Sequence, residues 1–169
     1  AMADNVDWLL ETAGPQAKIV LWAHNGHVSR AGFGSQDAMG TYLDQRHGED
    51  MVVLGFHFHT GTYTAMKHGE GLGAWGTSDS GPGSVEWVFH QTGQPRLVLD
   101  LRRAVPGSAE SGWVSEPLEF RSIGAMAVDD AFSRGVMADC YDALIYVETS
   151  TPSVLLEVEA PSAWDVWEE

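Results

Sequence analysis

Short runs of uninterrupted apolar residues constrain this chain most. Ile19–Ala23 (IVLWA), Leu97–Leu101 (LVLDL) and Ala143–Val147 (ALIYV) are strand-length and lack polar alternation; Met51–His59 adds a fourth strand. A strand without alternation is covered on both faces, the pattern of a parallel sheet flanked by helices. Between these runs lie helical patterns over Ala1–Ala13 and Gln36–His47, and a third that Ser84 caps and Gly93 stops. Gly14-Pro15 ends the first, because proline cannot continue a helix. The expectation is a layered α/β/α domain with a largely parallel sheet, occupying 1–169 as one α/β domain. The glycine-rich stretch Gly69–Gly83 reads as a loop, and Phe120–Met126 as a short strand or turn. Val154–Val158 reads as an edge strand and Ala163–Trp167 as a closing turn.

Charge narrows the partners. The chain has 24 acidic and 9 basic residues in 169, a net charge of −15. Such a surface repels nucleic acid and anionic membranes, so neither is an expected partner. No apolar run is long enough to span a bilayer, and the opening residues lack the grammar of a signal peptide. The single cysteine, Cys140, excludes an internal disulfide framework; it reads as a buried small hydrophobe, and the expected compartment is the cytoplasm.

Ligands of open α/β sheets bind beyond the carboxyl ends of strands. Those ends carry His24-Asn25-Gly26-His27 with Arg30, then His59 and Thr60, then Asp100, Arg102 and Arg103, then Glu148. The H-x-x-H pair is the sharpest feature, since imidazole moves protons near neutral pH and also ligates metals. Read from spacing alone, it is either a catalytic pair or one loop-bound and one exposed histidine. Alternation places His57 and His59 on one strand face, opposite Phe56 and Phe58. With His24 and His27 they form a metal set on one reading, and satisfied core histidines on the other. Arg102 beside Asp100 reads as an ion pair or as a clamp on a substrate oxygen. Glu148 reads as a strand-end carboxylate or as the orienter of a histidine, and His90 as an ordinary helix histidine. Trp75 is the tryptophan expected to line a bulky apolar ligand. No G-x-S-x-G, P-loop or G-x-G-x-x-G motif is present.

In order along the chain, MADNVDWLL, KIVLWAHNGHVSR, MGTYLDQRHGEDMVVLGFHFHTGTYTA, LVLDLR, FRSIGAM and YDALIYVETSTP resemble segments of the erythromycin esterase family. The resemblance runs to Pro152. It implies an α/β domain decorated with helices, and a hydrolase that opens a macrolide lactone or related ester by histidine-assisted attack of water. The family's HN-x-H histidines fall on His24 and His27, which become the expected catalytic residues. Asn25, Arg30, Arg102 and Trp75 are the expected substrate-binding residues. No metal and no other cofactor is assigned. The family's general base and its partner glutamate belong to a half of the domain that nothing here matches. The chain is therefore expected to be the C-terminal half of that domain, with the N-terminal half and a small-molecule ester or macrolide as partners.

Overall fold

A computed structural model describes residues 1–32, 34–128 and 131–154. Its helices are α1 (Met2–Ala13), α2 (Asn25–Val28), α3 (Met39–His47), α4 (Val85–His90) and α5 (Met137–Cys140). Its strands are β1 (Leu54–Lys67), β2 (Gly71–Thr77), β3 (Arg96–Asp100), β4 (Pro117–Arg121), β5 (Phe132–Val136) and β6 (Ala143–Ser150). The α/β class is as expected, but the sheet is mixed rather than largely parallel. Its order is β2-β1-β6-β3, and only β1 and β6 run parallel. A separate antiparallel pair joins β4 to β5.

Two local expectations fail. Gly71–Thr77, expected in a loop, is strand β2, paired with the far half of β1 through Tyr63 and Trp75. A cross-strand aromatic pair supplies packing that the intervening glycines lack. Ile19–Ala23 is extended but pairs with no strand among the described residues. Leu21 packs on the small core of α1 and α3, whereas Val20 is 91 % and Trp22 84 % exposed. Within the run only Leu21 is part-buried, and Ile19, Val20, Trp22 and Ala23 are exposed. The edge strand expected over Val154–Val158 and the closing turn expected over Ala163–Trp167 lie outside the described residues except at Val154, which is exposed and not in a strand.

The main core gathers Val85, Phe89, Val114, Met137, Leu144 and Tyr146 between β6 and the helices α4 and α5. Cys140 is buried there, and burial pushes its thiol above the ordinary range. Ser84 starts α4 as expected, its Oγ accepting the Trp87 N–H at 3.2 Å while donating to the Gly81 carbonyl at 2.8 Å. Replacing Ser84 with alanine is expected to cost about 1 kcal/mol, the usual worth of such a cap. Thermal melts would check this value.

At Gly61 (φ 123°), β1 turns from its pairing with β6 to its pairing with β2. A Cβ there would lie 2.2 Å from the Ser150 carbonyl oxygen, so only glycine permits this close approach.

Candidate functional site

The His24–His27 loop is built by the backbone of its own sequence. The His24 Nδ1 accepts the Gly26 N–H at 3.1 Å, capping α2, and its Nε2 lies 2.7 Å from the Ile123 carbonyl. A carbonyl can only accept and an amide N–H can only donate, so the proton sits on Nε2 and the tautomer is determined. Both ring nitrogens of His24 are thereby engaged within the chain. His27 differs: its ring is exposed and stands edge-on to His24, with centroids 6.2 Å apart.

The other expected residues serve the frame. The Asn25 amide donates to the Phe56 carbonyl at 2.7 Å and accepts the Phe56 N–H at 3.0 Å, as a strand partner would. Arg30 pairs with Asp142 at 2.6 Å and Asp44 at 2.9 Å, and donates to the Met51 carbonyl. The Asp142 hydrogen bond raises the Arg30 guanidinium above its ordinary value. Arg102 forks onto Asp100, whose carboxyl it holds down to about 2. Arg30 and Arg102 meet across a cleft of about 430 Å³ that Asp142 also lines.

Trp75 donates Nε1–H to the Ala65 carbonyl at 2.8 Å and lies beneath the Lys67 ammonium. It lines a cavity of about 270 Å³ with Tyr63, Arg121 and Ile123. Ile123 is also the residue whose carbonyl holds His24, so this cavity adjoins the histidine loop. Arg121 is buried, donating to the carbonyls of Phe58, His59 and Ser78. Burial lowers its guanidinium from the ordinary value.

The histidines of β1 form no set with His24 and His27. Helix α4 presents Glu86 and His90, one turn apart, to His57 and His59, two residues apart on the strand. The two spacings, about 6 Å and about 6.8 Å, nearly match. His57 Nδ1 meets Glu86 Oε1 at 2.7 Å, with both side chains fully buried, and the Arg121 N–H donates to the same oxygen. His59 is buried with Nδ1 2.5 Å from Ser80 Oγ, and its ring stacks on His90 at 4.0 Å. His90 Nδ1 lies 2.7 Å from Glu148 Oε1, and the Tyr146 hydroxyl donates to Oε2 at 2.5 Å. Burial raises the Glu148 carboxyl, but the Tyr146 and His90 hydrogen bonds outweigh it and hold it below the usual range.

His59, His90 and Glu148 offer donor atoms all within 4.8 Å of one another, the one such group among the described residues. Sequence reading passed over His90. The available signal was Glu86 and His90 at i, i+4 on a helix, matching H-x-H on a strand.

Comparison with known proteins places this geometry. The erythromycin esterase family model matches residues 1–150. YbfO of Bacillus subtilis (strain 168), named as a hydrolase, is 23 % identical over 92 % of this chain and 35 % of its own length. An erythromycin esterase type II of Escherichia coli is 24 % identical over 90 % of this chain and 36 % of its own length. The chain thus spans about a third of the length of the curated relatives it matches. A crystal structure of a Bacillus cereus protein superposes with a TM-score of 0.81 at 25 % identity, over 90 % of this chain and 38 % of that one. A mutant of the erythromycin esterase EreC in its open conformation gives 0.63 at 19 % identity, over 93 % of this chain and 38 % of that one, a likeness of fold. With the family model matching residues 1–150 of this chain and the fold shared with a solved structure, the chain belongs to the erythromycin esterase family.

Proposed function

We propose that this chain contributes the His24–His27 loop to the active site of a hydrolase that opens a lactone or a related ester, such as a macrolide. The observation that carries the reading is the division of labour in that loop. His24 is locked by Gly26 and Ile123, and it presents the exposed ring of His27. A general base from the part of the family domain outside this chain removes a proton from water. The water oxygen bonds to the acyl carbon, and the carbonyl electron pair moves onto oxygen. A hydrogen bond from His27 stabilises that oxyanion. Collapse breaks the carbon–oxygen ester bond, and the departing alkoxide takes up the proton that the general base removed from water, so the product is the substrate plus one water. The cavity beside Ile123, with Trp75 in its wall, takes the apolar body of the substrate. Asn25, Arg30 and Arg102 act as positioning residues, because their polar ends are engaged within the chain. No metal and no other cofactor is assigned to this reaction. The cytoplasm is the proposed compartment; among the described residues no helix is long and apolar enough to cross a membrane.

Mass spectrometry of erythromycin and a panel of lactones incubated with the full-length polypeptide tests the reading. The expected result is a gain of one water. His27→Ala should lower kcat by about 100-fold with an unchanged Tm. His24→Ala should lower both kcat and Tm, because it releases the loop. Turnover by His27→Ala at the original rate would reject the role given to that ring. A full-length polypeptide that turns over none of the panel would leave a ligand-binding relative instead.

A further inference from the structure

We infer that His59, His90 and Glu148 form a binding site for one zinc-class divalent cation, separate from the His24–His27 loop. The three residues come from β1, α4 and β6, so an ion held by them joins a helix to both strands of the parallel pair. Two imidazoles and a carboxylate suit zinc and its transition-metal neighbours rather than magnesium or calcium, which prefer oxygen. Three protein donors leave a fourth position open to water.

The surroundings are arranged as such a site requires. His59 is buried with Nδ1 2.5 Å from Ser80 Oγ; when Nδ1–H is the donor in that bond, Nε2 presents the lone pair a metal needs. An outer partner on the second ring nitrogen is the usual way a ligating histidine is oriented. The Tyr146 hydroxyl likewise steadies the Glu148 carboxylate through Oε2. The donors now lie within 4.8 Å of one another. Bonds of about 2.0–2.2 Å in a tetrahedron need donors about 3.4 Å apart, so the widest pair closes by up to about 1.4 Å. That adjustment falls to His90 and Glu148, which are part-exposed, whereas His59 is buried. The His59 and His90 rings stack at 4.0 Å and 11°, so their planes are nearly parallel and one ring must turn for both nitrogens to face a single ion. Rotation of His90 about its terminal torsion, which is soft, turns its nitrogen toward the His59 Nε2. The net charge of −15 adds a field that draws cations to the surface.

Equilibrium dialysis of the full chain against zinc, followed by elemental analysis, gives the stoichiometry. Cobalt substitution reports the geometry by visible absorption. The expected result is one ion per chain with a tetrahedral cobalt spectrum, and a Tm higher by about 5–10 °C at zinc one hundred times Kd. His90→Ala and Glu148→Gln, both at part-exposed positions, should each weaken binding by more than the roughly 10–100-fold cost of losing an outer partner. Ser80→Ala should fall within that 10–100-fold range. His27→Ala should bind zinc as the parent does. The inference is overturned if no ion survives dialysis, if His90→Ala and Glu148→Gln retain it unchanged, or if His27→Ala loses it. None of these outcomes depends on ester turnover, so the site stands or falls apart from the proposed hydrolysis.

Discussion

Gly40→Ala is expected to destabilise the chain by about 3 kcal/mol or more, and to disturb the His24–His27 loop. Gly40 lies in the first turn of α3, where the helix meets the end of α2. A Cβ built there would stand 2.0 Å from the Val28 carbonyl oxygen and 2.5 Å from that of Ser29. Both are backbone atoms and have no rotamer with which to retreat. Nor can α2 shift as a body. Its start is tied through His24 to Ile123 and through Asn25 to Phe56, and beyond its end the Arg30 N–H donates to the Cys140 carbonyl. The strain must therefore separate α2 from α3 or break one of these ties. Urea unfolding of the variant measures the loss. A change below roughly 1 kcal/mol, the common value for a substitution, would show that the two helices are not locked together.

Asp142→Ala is expected to cost about 3 kcal/mol near neutral pH, and progressively less in acid. Asp142 Oδ2 accepts both the Arg30 Nη2–H and the Val53 N–H, each at 2.6 Å. Its removal leaves the Val53 amide without this acceptor and the Arg30 guanidinium with only Asp44 and the Met51 carbonyl. The acid dependence follows from the direction of the shift. Burial raises the carboxyl, but the hydrogen bonds from Arg30 and Val53 outweigh it and hold the group below 3.8. A carboxyl depressed in the folded state contributes its full stabilisation above its unfolded value. That contribution is lost as pH falls from about 3.8 through the lower folded value. Parent and variant should therefore differ most at pH 6 and converge below pH 4 in parallel urea titrations. A difference that is constant with pH would place the energy in packing rather than in the charge.

Much of this architecture was legible because it is local. Ser84 starts α4, which ends at His90 with Gln91 as its cap, two residues before the expected Gly93, and Gly14-Pro15 closes α1, each by chemistry contained within a few residues. The same holds for the H-N-G-H loop, whose capping bond spans two residues. Strand direction was not legible, because an apolar run records that a strand is covered and not which neighbour covers it. β3 illustrates this: LVLDL reads as buried, yet it pairs antiparallel with β6 and leaves Val98 exposed. The β1–β2 hairpin hid behind its glycines, since the pairing of Tyr63 with Trp75 is visible only once the register is known. The His59–His90–Glu148 group was invisible for a related reason. Each of its members is unremarkable in its own segment, and three separate elements must dock before the donors meet. The functions of Asn25 and Arg30 were obscured differently, since a polar residue that secures the frame and one that binds substrate look alike in a sequence.

The bonds from Asn25 to Phe56 and from Arg121 to Phe58 bear on how this protein stays dispersed. Before Gly61, β1 has no strand beside it opposite β6 among the described residues. A bare ladder of that kind recruits strands from other molecules and leads to precipitation. Here one side-chain amide occupies both hydrogen-bonding groups of Phe56, and a guanidinium takes the Phe58 carbonyl. Asn25, expected from the sequence to bind substrate, and the buried Arg121 thus act as stoppers on an adhesive margin, keeping neighbouring molecules from extending the sheet.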